Sequence, residues 1–463
     1  MIRRNLPAPR SDPRPPGTLH FIAMQTRQTR RSFLQRSTLA ASALAFPFVS
    51  SARVLGANGR LAIAGIGVGG KGWTDITMCA TEDIVALCDV DDARAAEARK
   101  RFPGAKHFRD FRRMFDAIGR DIDAVTVSTP DHMHFLPAMR AIELSKHVYC
   151  QKPLTHTIEE ARRLTQAAAR KGVSTQMGNQ GRSHPAVRRD AELVRAGVLG
   201  RVHEVHCWTD RPGRWWPQGV DRPSATPAIP KDLDWDLWLG GAPERPYSPS
   251  YVPFNWRGFW DFGTGALGDM GCHLLNVPDM ALEIREATRA EAWSEGLTEE
   301  SGPRSCKVRW DIPARGSRPA FTLWWYDGGR LPPQDLFPKA KFDGNGVLIV
   351  GDQDVMLTNY EGGGTFRSGR TAADFRHIPE TIPRHKAAWE PGQYAEWISA
   401  CKGGPKTLSG FDQAGPMTEV VLLGNVAIRA RHAIDWDAKA MRVTHSPAAD
   451  RFVRGSYRKG WTV

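Results

Sequence analysis

The stretch "RLAIAGIGVGG", residues 60–70, decides the fold that the sequence predicts. An apolar strand runs directly into glycines spaced G-x-G-x-x-G, at Gly65, Gly67 and Gly70, and a helical pattern follows. Such glycines permit a tight turn and let backbone N–H groups approach a pyrophosphate at the N-terminus of the helix. Glycines mark many tight turns, so it is the position between a strand and a helix that predicts a dinucleotide site.

An acidic residue in the next strand agrees with this prediction. Residues 83–91, "DIVALCDVD", predict a second strand that ends at Asp89, 24 residues after Gly65. An acid at this place binds the ribose 2′-hydroxyl of NAD. A carboxylate repels a 2′-phosphate and no arginine follows Asp89 at once, so the sequence favours NAD over NADP.

Strand and helix signals alternate from Arg60 to residue 180 at the spacing of βαβ units. Predicted helices cover 73–80, 93–102, 136–144 and 158–171. The expected fold is α/β, with a doubly wound parallel sheet that binds ligands outside the carboxyl ends of its strands. After Gly181 the segments become longer strands typical of an antiparallel sheet. The predicted division is a leader at 1–57, an NAD-binding domain at 58–180 and a C-terminal substrate and oligomerisation domain at 181–463.

The leader reads as a targeting segment. Arg30 and Arg31 precede a moderately apolar stretch at 37–49, a pattern that resembles a twin-arginine signal. Met24 then fits as the true start, with residues 1–23 upstream of it. We therefore expect twin-arginine export of a folded protein to the periplasm or beyond the cell. The alternative is a basic tail without a targeting role.

The apolar stretch is too short to span a bilayer, so no membrane association is expected after processing. The leader also carries +8 of the net charge of +13, which argues against a nucleic-acid partner. Seven cysteines without a C-x-x-C spacing argue against a disulfide framework or a thiolate metal site. No metal ion is predicted.

Two polar stretches end predicted strands and therefore face the cofactor cleft. "STPDHMH", residues 128–134, either contacts the cofactor or is a capped turn into the next helix. "CQKPLT", residues 150–155, places Lys152 after Gln151 and before Pro153, which stiffens the backbone. A lysine there can stabilise charge that develops on a substrate oxygen during hydride transfer. The alternative is a solvent-exposed surface lysine without a catalytic role.

A third constellation lies in "GTGALGDMGCHLLNVPD", residues 263–279. Asp269 and His273 are four residues apart, so on a helix they project from one face. A histidine oriented by a carboxylate can take the proton of an alcohol. The alternative is a helix cap and a packed histidine, and no third ligand is evident for a metal.

These motifs, in this order and spacing, resemble the Gfo/Idh/MocA family of oxidoreductases, clearly over 61–283. The resemblance implies a Rossmann domain joined to an α/β domain with a large open, mostly antiparallel sheet, and oxidation or reduction of sugars and cyclitols with tightly held NAD(P). It implies Lys152 as the lysine of the family's E-K-P motif and Asp269 and His273 as the acid–histidine pair, with His273 as general base. It also implies a homo-oligomer.

Two positions depart from the family pattern. Gln151 stands where a glutamate is usual, and Asn276 stands where an acid commonly follows the histidine, with Asp279 one turn further. A neutral amide removes a charge that would support the Lys152 ammonium. The general base stays intact, whereas the route of the proton is put in question.

The predicted contact residues fall into two sets. Those expected at the cofactor are Gly65, Ile66, Gly67, Val68, Gly70, Asp89, Thr129, Pro130, His134, Gln151 and Lys152. Those expected at a carbohydrate substrate are Asn179, Arg182, Trp256, Arg257 and Trp260. Flat indole rings stack on sugar C–H faces and polar neighbours bind hydroxyls. Many of the 16 tryptophans are nevertheless ordinary core residues.

Three functions compete at this point. The leading one is an exported NAD-dependent oxidoreductase that acts on a secondary hydroxyl of a sugar, sugar derivative or cyclitol and retains its cofactor. The second keeps the same residues but cleaves a glycoside by transient oxidation and elimination, with no net NADH. The third is a non-catalytic NAD- or sugar-binding protein, motivated by Gln151 and Asn276.

Overall fold

The computed structural model describes residues 59–387 and 389–462. The leader, the twin-arginine pattern and Met24 lie outside the described residues. The first half forms a six-stranded parallel sheet in the order β3-β2-β1-β4-β5-β6. Its strands are β1 Ala62–Ile66, β2 Asp83–Cys88, β3 Lys106–Phe108, β4 Ala124–Val127, β5 His147–Cys150 and β6 Thr175–Met177. The predicted doubly wound sheet is confirmed.

Five helices connect these strands, and their ends follow local capping chemistry. They are α1 Lys71–Met78, α2 Asp92–Arg101, α3 Phe111–Ile118, α4 Phe135–Glu143 and α5 Ile158–Lys171. Helix α5 has the predicted bounds because Thr157 and Glu160 form a capping box and Gly172 ends it in the left-handed conformation. The sequence prediction missed β3 and α3, which are short.

The second half forms a nine-stranded sheet in the order β13-β12-β11-β7-β10-β9-β8-β14-β15. All its neighbours pair antiparallel except β7 and β10, so the mostly antiparallel sheet is confirmed as well. Its strands are β7 Val202–Trp208, β8 Arg289–Glu295, β9 Ser305–Ile312, β10 Phe321–Asp327, β11 Gly346–Gly351, β12 Val355–Thr358, β13 Thr365–Phe366, β14 Ile434–Asp437 and β15 Arg442–Thr444.

Helices cover one face of the second sheet and join it to the first domain. They are α6 Pro185–Arg195, α7 Trp235–Leu239, α8 Gly265–Leu274, α9 Asn276–Leu282, α10 Trp389–Cys401, α11 Phe411–Ala430 and α12 Pro447–Asp450. Helix α11 packs against both α5 and α8. It lies close to the sheet because Gly424 has no side chain: a Cβ there would stand 2.3 Å from the ring of Trp310.

The predicted single helix around His273 is two helices, because the chain breaks at Leu275 between α8 and α9. Pro278 lies inside α9 rather than at the break. No helix within 59–387 and 389–462 is long and apolar enough to cross a membrane.

Candidate active site

A cleft of about 500 Å³ lies at the carboxyl ends of the parallel strands. The glycine loop, the loop after β4, the turn after β5 and residue His273 of α8 all line it. This is the place where a doubly wound sheet binds ligands. Of the residues predicted to contact the cofactor, it contains Ile66, Gly67, Gly70, Asp89, Thr129, Pro130, His134, Gln151 and Lys152.

The glycine loop has the shape that a dinucleotide requires. Gly67 has a φ of +75°, and a Cβ on it would stand 2.8 Å from the carbonyl carbon of Ser128. Helix α1 begins at this loop, and in the described chain no side chain caps its N-terminus. An uncapped helix N-terminus facing a cleft is an anion site, so the residues present fit the pyrophosphate of NAD.

Asp89 supports the loop from below. Its Oδ2 accepts hydrogen bonds from the backbone N–H of Val68 at 2.8 Å and of Gly69 at 3.2 Å, and burial raises its pKa. Gly65 and Val68, both predicted at the cofactor, do not line the cleft. Gly65 is inside β1, where a Cβ would meet the side chain of Val68 at 2.8 Å. Both therefore serve packing beneath the loop.

Lys152 projects across the cleft to the second domain. Its Nζ donates to the Asp269 carboxylate at 2.5 Å and to the Asp269 carbonyl at 3.1 Å. The Nε atoms of Arg257 and Arg211 also stand 3.2 Å from this carboxylate. Burial alone would raise the pKa of Asp269, but the three cations hold it well below its ordinary value.

This arrangement corrects the predicted role of Asp269. The carboxylate that was expected to orient His273 instead binds Lys152, because α8 aims it at the turn after β5. Among the described residues, no hydrogen bond engages the His273 ring. His273 is only 9% exposed, and burial, followed by the charge of Lys152, lowers its pKa to about 3. It is therefore a neutral imidazole with its nitrogens open to a ligand in the cleft.

Gln151 belongs to a buried polar network around Asp75, which is 0% exposed. The Asp75 carboxylate accepts from Gln151 Nε2 at 2.9 Å, Ser128 Oγ at 2.6 Å and Tyr394 OH at 2.5 Å. Lys71 Nζ stands 3.0 Å from it. Four groups that can donate hydrogen bonds thus surround one carboxyl group. The charge that is absent at position 151 is present at Asp75, beneath the same cleft.

His134 lines the cleft and also joins two backbone segments beside it. One ring nitrogen lies 2.8 Å from the Pro153 carbonyl and the other 2.8 Å from the Thr129 carbonyl. The ring, 1% exposed, thus joins the loop after β4 to the turn that carries Lys152. The ring of His132 similarly contacts two backbone carbonyls, and burial lowers its pKa to about 3.

The predicted substrate residues separate into three groups. Trp256 and Arg257 line the cleft. Asn179 and Arg182 do not: Asn179 bonds to Asn276 at 2.8 Å, and Arg182 forms a buried ion pair with Asp279 at 2.7 Å. These pairs join the segment after β6 to α9. They give structural roles to Asn276 and Asp279, the polar residues that follow His273 in the sequence. Trp260 lies in a separate pocket.

Sequence reasoning missed several residues at the site. Asp75 accepts a hydrogen bond from Gln151, and Arg211 stands beside the Asp269 carboxylate that binds Lys152. Arg94 and Trp461 line the cleft, as Asp89 does. The paired spacing of Lys71 and Asp75 on α1 was a readable signal for the first. Trp461 lies at the far end of the chain, so no local pattern indicates it.

The fold and the cleft define a two-domain α/β protein with a Rossmann domain followed by a second α/β domain. Two regions of the chain match models of the Gfo/Idh/MocA oxidoreductase family: residues 60–179 match its NAD-binding Rossmann fold and residues 185–287 match its C-terminal alpha/beta domain. The NAD-binding prediction is thereby confirmed.

Curated relatives are similar over part of their length. A levoglucosan dehydrogenase of Pseudarthrobacter phenanthrenivorans is 32% identical over 25% of this chain and 29% of its own. An inositol 2-dehydrogenase of Rhodococcus erythropolis is 31% identical over 35% of this chain and 46% of its own. The chain thus matches less than half the length of these relatives.

Solved structures share the fold. A WlbA dehydrogenase of Bordetella pertussis, in complex with NADH and UDP-GlcNAcA, has a TM-score of 0.56 at 18% identity, over 82% of this chain and 99% of its own. An aldose-aldose oxidoreductase of Caulobacter crescentus has a TM-score of 0.53 at 17% identity, over 81% of this chain and 100% of its own.

Proposed function

We propose that the chain is an NAD-dependent oxidoreductase acting on a secondary hydroxyl of a sugar, sugar derivative or cyclitol. The observation that carries the proposal is that Lys152 and a neutral His273 line the same cleft as the glycine loop. A general base, an oxygen-stabilising cation and a dinucleotide site are the parts that alcohol oxidation needs. Relatives named as dehydrogenases of levoglucosan and inositol support the substrate class.

The residues divide the work as follows. NAD supplies the hydride acceptor when it is bound. His273 takes the hydroxyl proton at an open ring nitrogen, and Lys152 donates a hydrogen bond to the oxygen as it becomes a carbonyl. Asp269 fixes the Lys152 ammonium in place through the 2.5 Å contact. The alcohol loses a hydride and a proton, so a ketone, NADH and a proton result.

A panel of sugars and cyclitols with NAD, monitored by reduced-nicotinamide absorbance, tests the proposal. Wild-type protein should reduce NAD with at least one compound, and His273→Asn should lower kcat by a factor of about 100 to 10,000. Arg289→Met, at an exposed ion pair with Asp435, is the matched control and should retain activity. Equal turnover in His273→Asn and the control would exclude His273 as the base.

We further propose that the cofactor is retained and that the protein is exported by the twin-arginine route to the periplasm or beyond the cell. The paired arginines and apolar stretch of the leader support export. Outside the cytoplasm no NAD pool is at hand, so the cofactor must be kept between turnovers. Denaturing the purified protein should release one nucleotide per chain, and fractionation of cells should locate it outside the cytoplasm. A purified protein without nucleotide contradicts retention.

A homo-oligomer is proposed from the outer face of the nine-stranded sheet. Trp293 is 39% exposed there and stacks with Trp324, and Lys307 lies over both rings. Exposed aromatic residues on an open sheet are typical of a subunit interface. Light scattering should give a multiple of the chain mass, and Trp293→Glu should lower it.

A further inference from the structure

A second pocket of about 330 Å³ lies outside the cofactor cleft. It is formed by Trp260, by Asn425 and Arg429 of α11, and by Phe452 and Tyr457 near the end of the chain. The proposed oxidation uses none of these residues. Thr264 lines this pocket, and its hydroxyl donates to Asp131, which lines the cleft, at 2.6 Å. The two sites are therefore neighbours separated by one layer of side chains.

Arg429 is the unusual residue of the pocket. Its guanidinium carbon lies 4.0 Å from the centre of the Phe452 ring and 5.3 Å from that of Trp260. Among the described residues, no carboxylate pairs with Arg429 and no hydrogen-bond acceptor receives its N–H groups. Burial lowers its pKa to about 10, against the opposing charge of Asp261. A half-buried cation normally has an anionic or hydrogen-bonding partner within the protein. Since the described residues give Arg429 none, its guanidinium group is available to bind a ligand.

Two further donors lie beside Arg429 without partners. The indole Nε1 of Trp260 is buried and has no hydrogen-bond partner in the described chain. Arg451, an exposed residue, lines the same pocket with its guanidinium carbon 4.6 Å from the centre of the Phe452 ring, and no carboxylate among the described residues pairs with it. A buried N–H without an acceptor costs about 1–3 kcal/mol, so such a group calls for an explanation.

The acidic residues around the pocket are already engaged. Asp261 binds Arg245, and Glu299 lies 3.2 Å from Arg431. Glu160 accepts from the Tyr457 hydroxyl and caps α5. The groups left without partners are therefore two guanidinium groups and an indole N–H, all of which donate hydrogen bonds and two of which carry positive charge.

We propose that this pocket binds a small oxygen-rich anion, either a phosphate or the carboxylate of a sugar acid. Arg429 and Arg451 would receive the charged oxygens, because a guanidinium group presents a planar fork of donors to them. The pocket differs from the uncapped N-terminus of α1, which lies in the cofactor cleft.

The test measures the melting temperature of the full chain with saturating NAD, so that the anion site of the cleft is occupied. Sodium phosphate and sodium gluconate are compared with sodium chloride at equal ionic strength, and sorbitol serves as the uncharged polyol. Binding to the folded state raises the melting temperature with the logarithm of the ligand concentration. A rise with both anions indicates a general anion site, and a rise with gluconate alone indicates a sugar acid. Either result supports the proposal.

Arg429→Met should abolish the rise, whereas Arg289→Met, at an exposed ion pair outside the pocket, should keep it. If Arg429→Met does not fold, Arg451→Met, a change at an exposed residue of the same pocket, should weaken the rise. The proposal is overturned if neither anion exceeds chloride, if sorbitol acts as strongly as gluconate, or if the Arg429→Met rise equals that of the wild type.

Discussion

Replacing Gln151 by the glutamate usual in the family should destabilise this protein. The Gln151 amide donates to the buried Asp75 carboxylate at 2.9 Å, so Gln151→Glu places a second carboxyl group against the first. The amide donor is lost and two like charges come within hydrogen-bond distance. A change towards the family pattern therefore acts here as an uncompensated charge.

The size of the effect follows from the geometry. Two unit charges about 4 Å apart repel by about 4 kcal/mol at an effective dielectric constant of about 20. The introduced carboxyl group can avoid this by taking up a proton, so its pKa in the folded state is raised. A raised pKa means that the penalty is smallest at low pH and grows as the pH rises. We expect a loss of about 4 kcal/mol at pH 8 and of about 2 kcal/mol at pH 5.5.

Urea unfolding at the two pH values measures this loss. Asp75→Asn combined with Gln151→Glu moves the single negative charge to position 151 and should recover at least half of the stability at pH 8. Gln180→Glu is the matched control, because it adds the same charge to the same cleft away from Asp75. The reasoning is refuted if Gln151→Glu is as stable as the wild type at pH 8, or if the double variant is no more stable than the single one.

Three further predictions follow from other contacts. The pKa of His273 is lowered to about 3, so the stability that its neutral form contributes is present above about pH 6.5 and is lost as the pH falls towards 3. His273→Asn should therefore lose about 2 kcal/mol less of its unfolding free energy than the wild type between neutral pH and pH 5, measured by urea unfolding. Asp89→Asn should weaken NAD binding about tenfold or more while NADP gains relative to NAD, measured by nucleotide titration. Arg182→Met leaves Arg285 as the remaining cation at buried Asp279 and should cost about 1–3 kcal/mol, whereas the exposed-pair control Arg289→Met should cost less than about 1 kcal/mol.

Local patterns were sufficient for most of the first domain, with the short β3 and α3 as the exceptions. The glycine spacing, the strand ends and the capping box of α5 are chemistry between residues close in sequence, so the parallel sheet and the bounds of Ile158–Lys171 could be predicted. The strand β8, by contrast, has no clean alternation in its burial, and it was missed. The order of the nine-stranded sheet depends on pairings between distant segments, which no local pattern encodes.

The candidate site shows the same division. Lys152 and His273 could be placed in one cleft because each lies at a position that the fold aims there. The partner of Asp269 could not be predicted, because a helical spacing of four residues says that two side chains share a face and leaves open what lies opposite. Arg182 looked like a ligand group because its sequence neighbours are polar, yet it meets Asp279 in the interior across 97 residues.

The two buried carboxylates together explain how this site works with an amide at position 151. Asp75 stabilises the turn from the first domain through Gln151, and Asp269 binds the Lys152 ammonium from the second domain at 2.5 Å. Lys152 thus keeps a carboxylate counterion in Asp269, although the residue next to it in the sequence, Gln151, is an amide. Because Asp269 is occupied by cations, it is not free to hold a proton-bearing His273, and burial, followed by the charge of Lys152, lowers the pKa of His273 and keeps that imidazole neutral. A neutral base beside an anchored ammonium is the state that the proposed alcohol oxidation needs, and the carboxylates at positions 75 and 269 provide it with an amide at position 151.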